Sequence, residues 1–164
     1  MNTVYYTHYR SPVGALLLAG NTGGLQLLSF QTGPKARQPE NGWERNHTVF
    51  HSAVEQLDAY FAGALQDFSL ALSPAGTPFQ LRVWQELQRI PYGETISYGE
   101  LAGRIGNPAA SRAVGLANGA NPIAIIVPCH RVIGASGKLT GFGGGLDIKR
   151  RLLDHESGQR LLCR

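Results

Sequence analysis

Three short apolar runs open the chain. Tyr5–Tyr9, Ala15–Ala19 and Leu25–Phe30 read as strands. The breaks at Ser11-Pro12 with Gly14, and at Gly20-Asn21-Thr22-Gly23-Gly24, read as tight turns. Strands joined by so few residues predict an antiparallel meander. Residues 31–46 carry no period and predict a loop. Phe50, Val54, Leu57 and Phe61, with Tyr60 beside them, repeat at helical spacing until Gly63. Phe68–Leu72 predicts a further strand, and Ser73-Pro74-Ala75-Gly76 a linker between two domains.

Beyond the linker the period becomes helical. Thr77-Pro78-Phe79-Gln80 combines an N-cap, a proline at the first helical position and a capping-box glutamine. Phe79, Val83, Leu87 and Ile90 form that helix's buried stripe, and Pro91-Tyr92-Gly93 stops it. Ser97-Tyr98-Gly99-Glu100 predicts a second capping box on a short helix through Leu101 to Ile105, with Gly106 as its left-handed end. Asn107-Pro108 then predicts the cap of a helix running to about Asn118. Helix, glycine turn and helix together form a helix-turn-helix pattern.

The second of these helices is unusual for its bareness. Ala110, Ala113, Val114 and Ala117 form its inward stripe. The other face holds Ser111, Arg112, Gly115, Asn118 and Gly119, with Leu116 at its edge. Base reading in the major groove uses several long polar side chains, and this face has one, Arg112. A fully dressed helix is about 10–12 Å across and does not fit a minor groove about 6 Å wide. Stripped to small residues, its backbone comes closer. The pattern therefore points to a helix that meets DNA by shape in the minor groove, with Arg112 free to enter the base stack. A packed helix pair with Arg112 in solvent gives the same pattern.

Ile125-Ile126-Val127-Pro128-Cys129-His130-Arg131-Val132-Ile133 sets a cysteine and a histidine between two β-branched runs, which read as short buried strands broken by a turn. Lone cysteines mostly just pack. In an extended chain neighbouring side chains point apart, so His130 reaches the sulfur through a bend or a water. After Gly143-Gly144-Gly145, the stretch from Leu146 to Glu156 reads as a helix. Ile148, Leu152 and Glu156 fall at four-residue steps, with Lys149, Arg150, Arg151 and Asp154 mostly elsewhere. An inward carboxylate needs a partner. His130 is the attractive one, because a Glu–His pair orients an imidazole to take a thiol proton. A frayed helix end in solvent is the other reading of Glu156.

Composition narrows the class. The chain has 164 residues, 43% hydrophobic and 16% charged, and a formal charge of +4. That is globular and mildly basic, compatible with an anionic partner. No signal-peptide run or membrane-length apolar stretch is present, so a cytoplasmic protein is expected. Two cysteines, Cys129 and Cys163, allow one disulfide, against which the missing export signal argues, and they exclude a cysteine-rich zinc site. His47 and His51 lack a zincin glutamate and read as a solvated helix face. No metal and no cofactor are expected.

Asn121-Pro122, Pro128-Cys129-His130-Arg131-Val132-Ile133, Gly144-Gly145 and His155-Glu156 resemble the methylated-DNA–protein-cysteine methyltransferases of the bacterial stand-alone type, which repair O6-alkylguanine. The likeness runs from Thr77 to Glu156 and continues more weakly upstream, as in Tyr60-Phe61-Ala62-Gly63. It implies an α+β fold. Residues 1–73 would be a ribonuclease-H-like antiparallel sheet with a helix. Residues 77–164 would be a mainly helical, winged-helix-like domain that carries the helix-turn-helix and the site.

The resemblance also implies roles. Cys129 accepts the alkyl group, His130 is its water-linked base and Glu156 completes the relay. Asn121 is the hinge asparagine. Tyr98 donates toward the guanine ring and crowds the phosphate, and Arg112 replaces the flipped base. Ala110, Ser111, Gly115 and Asn118 face DNA, while Val132, Phe142, Gly143 and Gly144 form the alkyl and guanine pocket. Phe142 stands where many members carry tyrosine, and Gly143 where some carry serine, which bears on substrate range. The implied partner is double-stranded DNA containing O6-alkylguanine, with O4-methylthymine as a second substrate. The implied protein is a monomer in solution, with cooperativity on DNA left open.

The chemistry predicts a single-use protein. A thioether carbon is not activated toward water, and no second nucleophile is evident to restore the thiol. A cysteine hydrolase would use the same residue types but leaves the helix-turn-helix unexplained. A lesion-binding protein without chemistry would leave Cys129 unmodified. A sequence-specific regulator would need a better-equipped helix face.

Overall fold

The structure is a computed structural model that describes residues 3–158. Cys163, and with it any pairing to Cys129, lies outside them. β1 (Tyr5–Ser11), β2 (Gly14–Asn21) and β3 (Gly24–Phe30) form the expected antiparallel meander, with Tyr9 opposite Leu16 and Leu18 opposite Leu28. The apolar run of β2 is continuous because both faces are covered. Leu16 and Leu18 enter the main core, while Leu17, Ala19 and Leu27 cluster with Tyr6 and Trp43 on the other face.

Two expectations for this half need correction. Trp43 carries the following residues to the free edge of β1, where β4 (Glu44–Arg45) pairs in parallel. The sheet is therefore mixed, in the order β3-β2-β1-β4, and not purely antiparallel. Phe68–Leu72 makes one bridge, Leu72 to Leu25, and not a strand.

The outer edge of β3 fastens the two halves. Leu25 pairs with Ala71 and Ser73, and Leu28 with Pro122 and Ala124. A sheet edge that would otherwise stay unpaired thus anchors the segment entering the site. α1 (His51–Phe61) ends at Gly63, whose φ is +79°. Its Tyr60 belongs to the same core as Val83, Leu101, Val132 and Leu152.

α2 (Pro78–Leu87) has the full capping box expected of Thr77 and Gln80. Trp84 Nε1 donates to the Ala117 carbonyl at 2.8 Å, tying α2 to the second helix of the helix-turn-helix. α3 (Tyr98–Arg104) is capped by Ser97, which accepts from the Glu100 amide at 3.0 Å. That box stays half closed, because the Glu100 carboxylate pairs with Arg104 at 2.7 Å. Gly106 adopts φ +82°, a conformation that favours glycine. α4 (Ser111–Gly119) begins later than the sequence suggested and has no side-chain cap, because Asn107 closes a separate turn onto Ala110.

The β-branched run before the cysteine is not a strand. Ile123–Val127 turns back on itself, and Ile125 has φ +71°. Asn121 imposes this by accepting from the Ile123 amide at 3.0 Å and donating to the Val127 carbonyl at 2.8 Å. Cys129–Arg131 is a single 3-10 turn, followed by β6 (Val132–Ile133) in parallel with β5 (Ile96–Ser97). α5 (Leu146–Glu156) buries Ile148, Leu152 and Glu156 as read, and Lys149 with them, contrary to expectation. Among the described residues no helix is long and apolar enough to cross a membrane.

Candidate active site

A buried carboxylate sits at the centre of the site. Glu156, at the end of α5, is 5% exposed. Its Oε2 lies 2.7 Å from His130 Nε2 and accepts from the Tyr60 hydroxyl at 2.6 Å. Arg131 holds both oxygens, from Nε at 2.7 Å and a terminal nitrogen at 3.0 Å, and donates to the Ile90 carbonyl at 2.7 Å. Burial works against ionisation of Glu156, but the facing imidazole and the fixed Arg131 charge outweigh it and hold the carboxyl well below its usual range. The 3-10 turn brings consecutive residues His130 and Arg131 onto one carboxylate, which an extended strand would not do.

The imidazole is enclosed and poised as a base. Burial pulls His130 down despite the attraction of Glu156, so it is neutral at physiological pH. With Glu156 ionised, Nε2 carries the hydrogen. Nδ1 is then a buried lone pair, and it has no hydrogen-bond partner among the described residues. Such an atom costs stability where it stands and is available to a proton.

Cys129 lines a cavity of about 130 Å³ between the β3 edge, the end of α4 and the loop around Phe142. Burial pushes its thiol up, opposed by the polar side chain of Asn121 and by the charge of Lys149. The resting sulfur is therefore a thiol and needs a base. Lys149 is fully buried, donating to the Val132 carbonyl at 2.7 Å and the Thr140 carbonyl at 2.8 Å. Burial pulls its ammonium down to about 8. It ties the strand after the nucleophile to the pocket loop.

An outer groove of about 650 Å³ adjoins this cavity, and Tyr98, Ser111, Arg112 and Gly115 line it. Arg112 is exposed, as a probing side chain requires. Leu116 beside it is 73% exposed. The Tyr98 hydroxyl lies in this groove, 3.1 Å from the Thr140 hydroxyl, and not among the residues around Cys129.

Several expected placements change. The wheel of α4 is rotated, so Ala113 is exposed and Ala110 half-buried. Asn118, expected on the open face, is buried, with its amide 3.4 Å from the Cys129 carbonyl. Phe142 and Gly143 line the cavity. Val132 lies behind it, fully buried on β6, and Gly144 is packed so tightly on the Phe30 ring that a Cβ would come within 2.7 Å.

Sequence reasoning missed Arg131 and Lys149, and treated Tyr60 as core alone. Their charges or hydroxyl set at a helical or motif position were the only signals. Among the described residues no group of three or more His, Cys, Asp or Glu is arranged to hold a metal ion.

Comparison with known proteins bears on this arrangement. Residues 4–74 match the family described as 6-O-methylguanine DNA methyltransferase, ribonuclease-like domain, and residues 78–158 match its DNA binding domain. The methylated-DNA–protein-cysteine methyltransferase of Methanosarcina acetivorans is 57% identical over 153 residues, covering 93% of this chain and 98% of the relative. That of Mycobacterium bovis is 56% identical over 156 residues, covering 93% of each. The crystal structure of Mycobacterium tuberculosis OGT in complex with DNA superposes with a TM-score of 0.89 at 54% identity, covering 95% of this chain and 94% of that one.

Proposed function

The chain belongs to the 6-O-methylguanine DNA methyltransferase family, and from that premise we propose how its own residues carry the reaction. Its activity is the repair of O6-alkylguanine in DNA by direct transfer of the alkyl group to a cysteine of the protein. Cys129 is the acceptor. The lone pair at His130 Nδ1, held open by Glu156 at Nε2, is the observation that carries the mechanism.

The base must leave the stack for in-line attack on the alkyl carbon, which costs a few kcal/mol and less for a damaged pair. α4 enters the minor groove by its bare face, and Arg112 fills the gap left behind. The thiol proton passes to His130 Nδ1 through one bridging water, and Glu156 stabilises the imidazolium. The carbon–sulfur bond forms as the carbon–O6 bond breaks, and the electron pair stays on guanine. A hydrogen bond from Tyr98, swung from Thr140 to the ring, supports that charge until guanine is protonated. Arg131 keeps Glu156 ionised throughout.

The product is a thioether, so each chain acts once. Residues 1–73 serve as a support domain and 77–164 as the working domain. The protein acts as a monomer on double-stranded DNA in the cytoplasm, a compartment that keeps thiols reduced. Excess duplex with O6-methylguanine should load one methyl group per chain, read by intact-mass spectrometry. Continued release of repaired duplex beyond that point contradicts the proposal.

A further inference from the structure

The N-terminal half reaches the mouth of the pocket through one side chain. Lys35, in the loop after β3, is exposed, yet three contacts fix its place. Its Nζ donates to the Gly119 carbonyl at the end of α4 at 2.5 Å. Its amide donates to the Gly143 carbonyl at 3.1 Å. Its stem fills the space beside Gly143, where an added Cβ would meet Lys35 Cβ at 3.3 Å. A cation on the last carbonyls of a helix is favourably placed, so the ammonium has reason to stay.

This contact lies between two spaces. Lys35, Gly119, Phe142 and Gly143 line both the small cavity of Cys129 and the larger outer groove of Tyr98 and Arg112. A nucleotide moving from groove to sulfur passes between Gly119 and the pocket loop, which Lys35 clips together from both sides.

We propose that Lys35 is a specificity-determining residue for the O6 substituent: by joining the end of α4 to the pocket loop it narrows the neck in front of Cys129 and disfavours bulky groups. The proposal builds on the alkyl-transfer reading above. A methyl group passes with the clip nearly closed, whereas a benzyl group requires the Lys35–Gly119 bond to open. Removing the ammonium therefore selectively speeds transfer of the larger group. The loss of one charge-assisted hydrogen bond sets the scale at about tenfold.

The test uses the full chain and single-turnover rates on two duplexes, one with O6-methylguanine and one with O6-benzylguanine. Lys35→Met keeps most of the stem, and Lys35→Ala removes it. Both should raise the benzyl-to-methyl rate ratio by about tenfold, while Lys35→Arg, which keeps a donor, stays within about twofold of the parent. An unchanged ratio in Lys35→Ala, or an equal rise in Lys35→Arg, overturns the proposal. A parent chain that takes up no methyl group on Cys129 would instead overturn the alkyl-transfer reading itself.

Discussion

Replacing Glu156 by glutamine separates the relay's chemistry from its structural role. In the parent the carboxylate faces the Tyr60 hydroxyl, His130 Nε2 and two Arg131 nitrogens. An amide of the same shape offers one acceptor oxygen and turns donors toward Arg131, which is 5% exposed. The guanidinium then remains buried without its counter-charge, and removing one partner of a buried pair costs about 3–5 kcal/mol. At an m-value of about 2 kcal/mol/M, that lowers the urea midpoint by about 2 M.

The sign of the pH dependence follows from Glu156 being held below its unfolded value. Its contribution is present above about pH 4.3, the unfolded value, and is lost as pH falls through the folded value. The gap between parent and variant should therefore close in acid. Adding Arg131→Met removes the stranded charge and should restore more than about 1 kcal/mol. Alkyl transfer should not recover. It should stay about a hundredfold slow in both variants, the low end of what general-base catalysis contributes, because His130 remains but loses the carboxylate that stabilises its imidazolium. Rates are compared at equal folded fraction, by single-turnover transfer from methylated duplex. A single variant as stable as the parent, or a double variant that transfers at the parental rate, would refute the reasoning.

Other outcomes follow from the same contacts. Tyr60→Phe keeps the ring packing but loses one bond to a carboxylate, so chemical denaturation should show a loss of about 1.5–2 kcal/mol; unchanged stability would show that the hydroxyl adds nothing. Burial raises the Cys129 thiol and lowers the His130 imidazole, so transfer in the intact fold should change little between pH 7 and 8, where both stay neutral and the proton moves within the site; a rise of about tenfold per pH unit would mean that thiolate formed by solvent, and not the relay, reacts. Arg112→Ala should leave the melting temperature unchanged, since the side chain is exposed, and slow repair of duplex while sparing reaction with free O6-benzylguanine; equal slowing of both would place Arg112 outside DNA recognition. Gly144→Ala should cost about 1–3 kcal/mol, because its Cβ would press into the Phe30 ring; a neutral substitution would show that the loop can shift.

Periodicity disclosed what packing by rows dictates. The meander, the Thr77 cap and the inward line of Ile148, Leu152 and Glu156 were all legible in the sequence, because each depends on residues close in sequence. The run Ile125–Val127 was misread because β-branched residues favour strands, and nothing local reveals that Asn121 bends the backbone there. The helical wheel sets Lys149 mostly off the inward line, and lysine is rarely buried. Its burial is compensated by two carbonyls, one on β6 and one in the pocket loop. Tyr60 fitted an apolar stripe and gave no sign that its hydroxyl reaches a carboxylate 96 positions away. Lys35 lay in a loop without pattern, and its partners come from the other half of the chain.

The account turns on the protonation state of one ring. Nitrogen-15 chemical shifts of His130, recorded between pH 7 and 8 on protein not yet alkylated, read it directly. The relay predicts a neutral imidazole with the hydrogen on Nε2 and a bare Nδ1 throughout that range. A hydrogen on Nδ1, or an imidazolium at neutral pH, would contradict it.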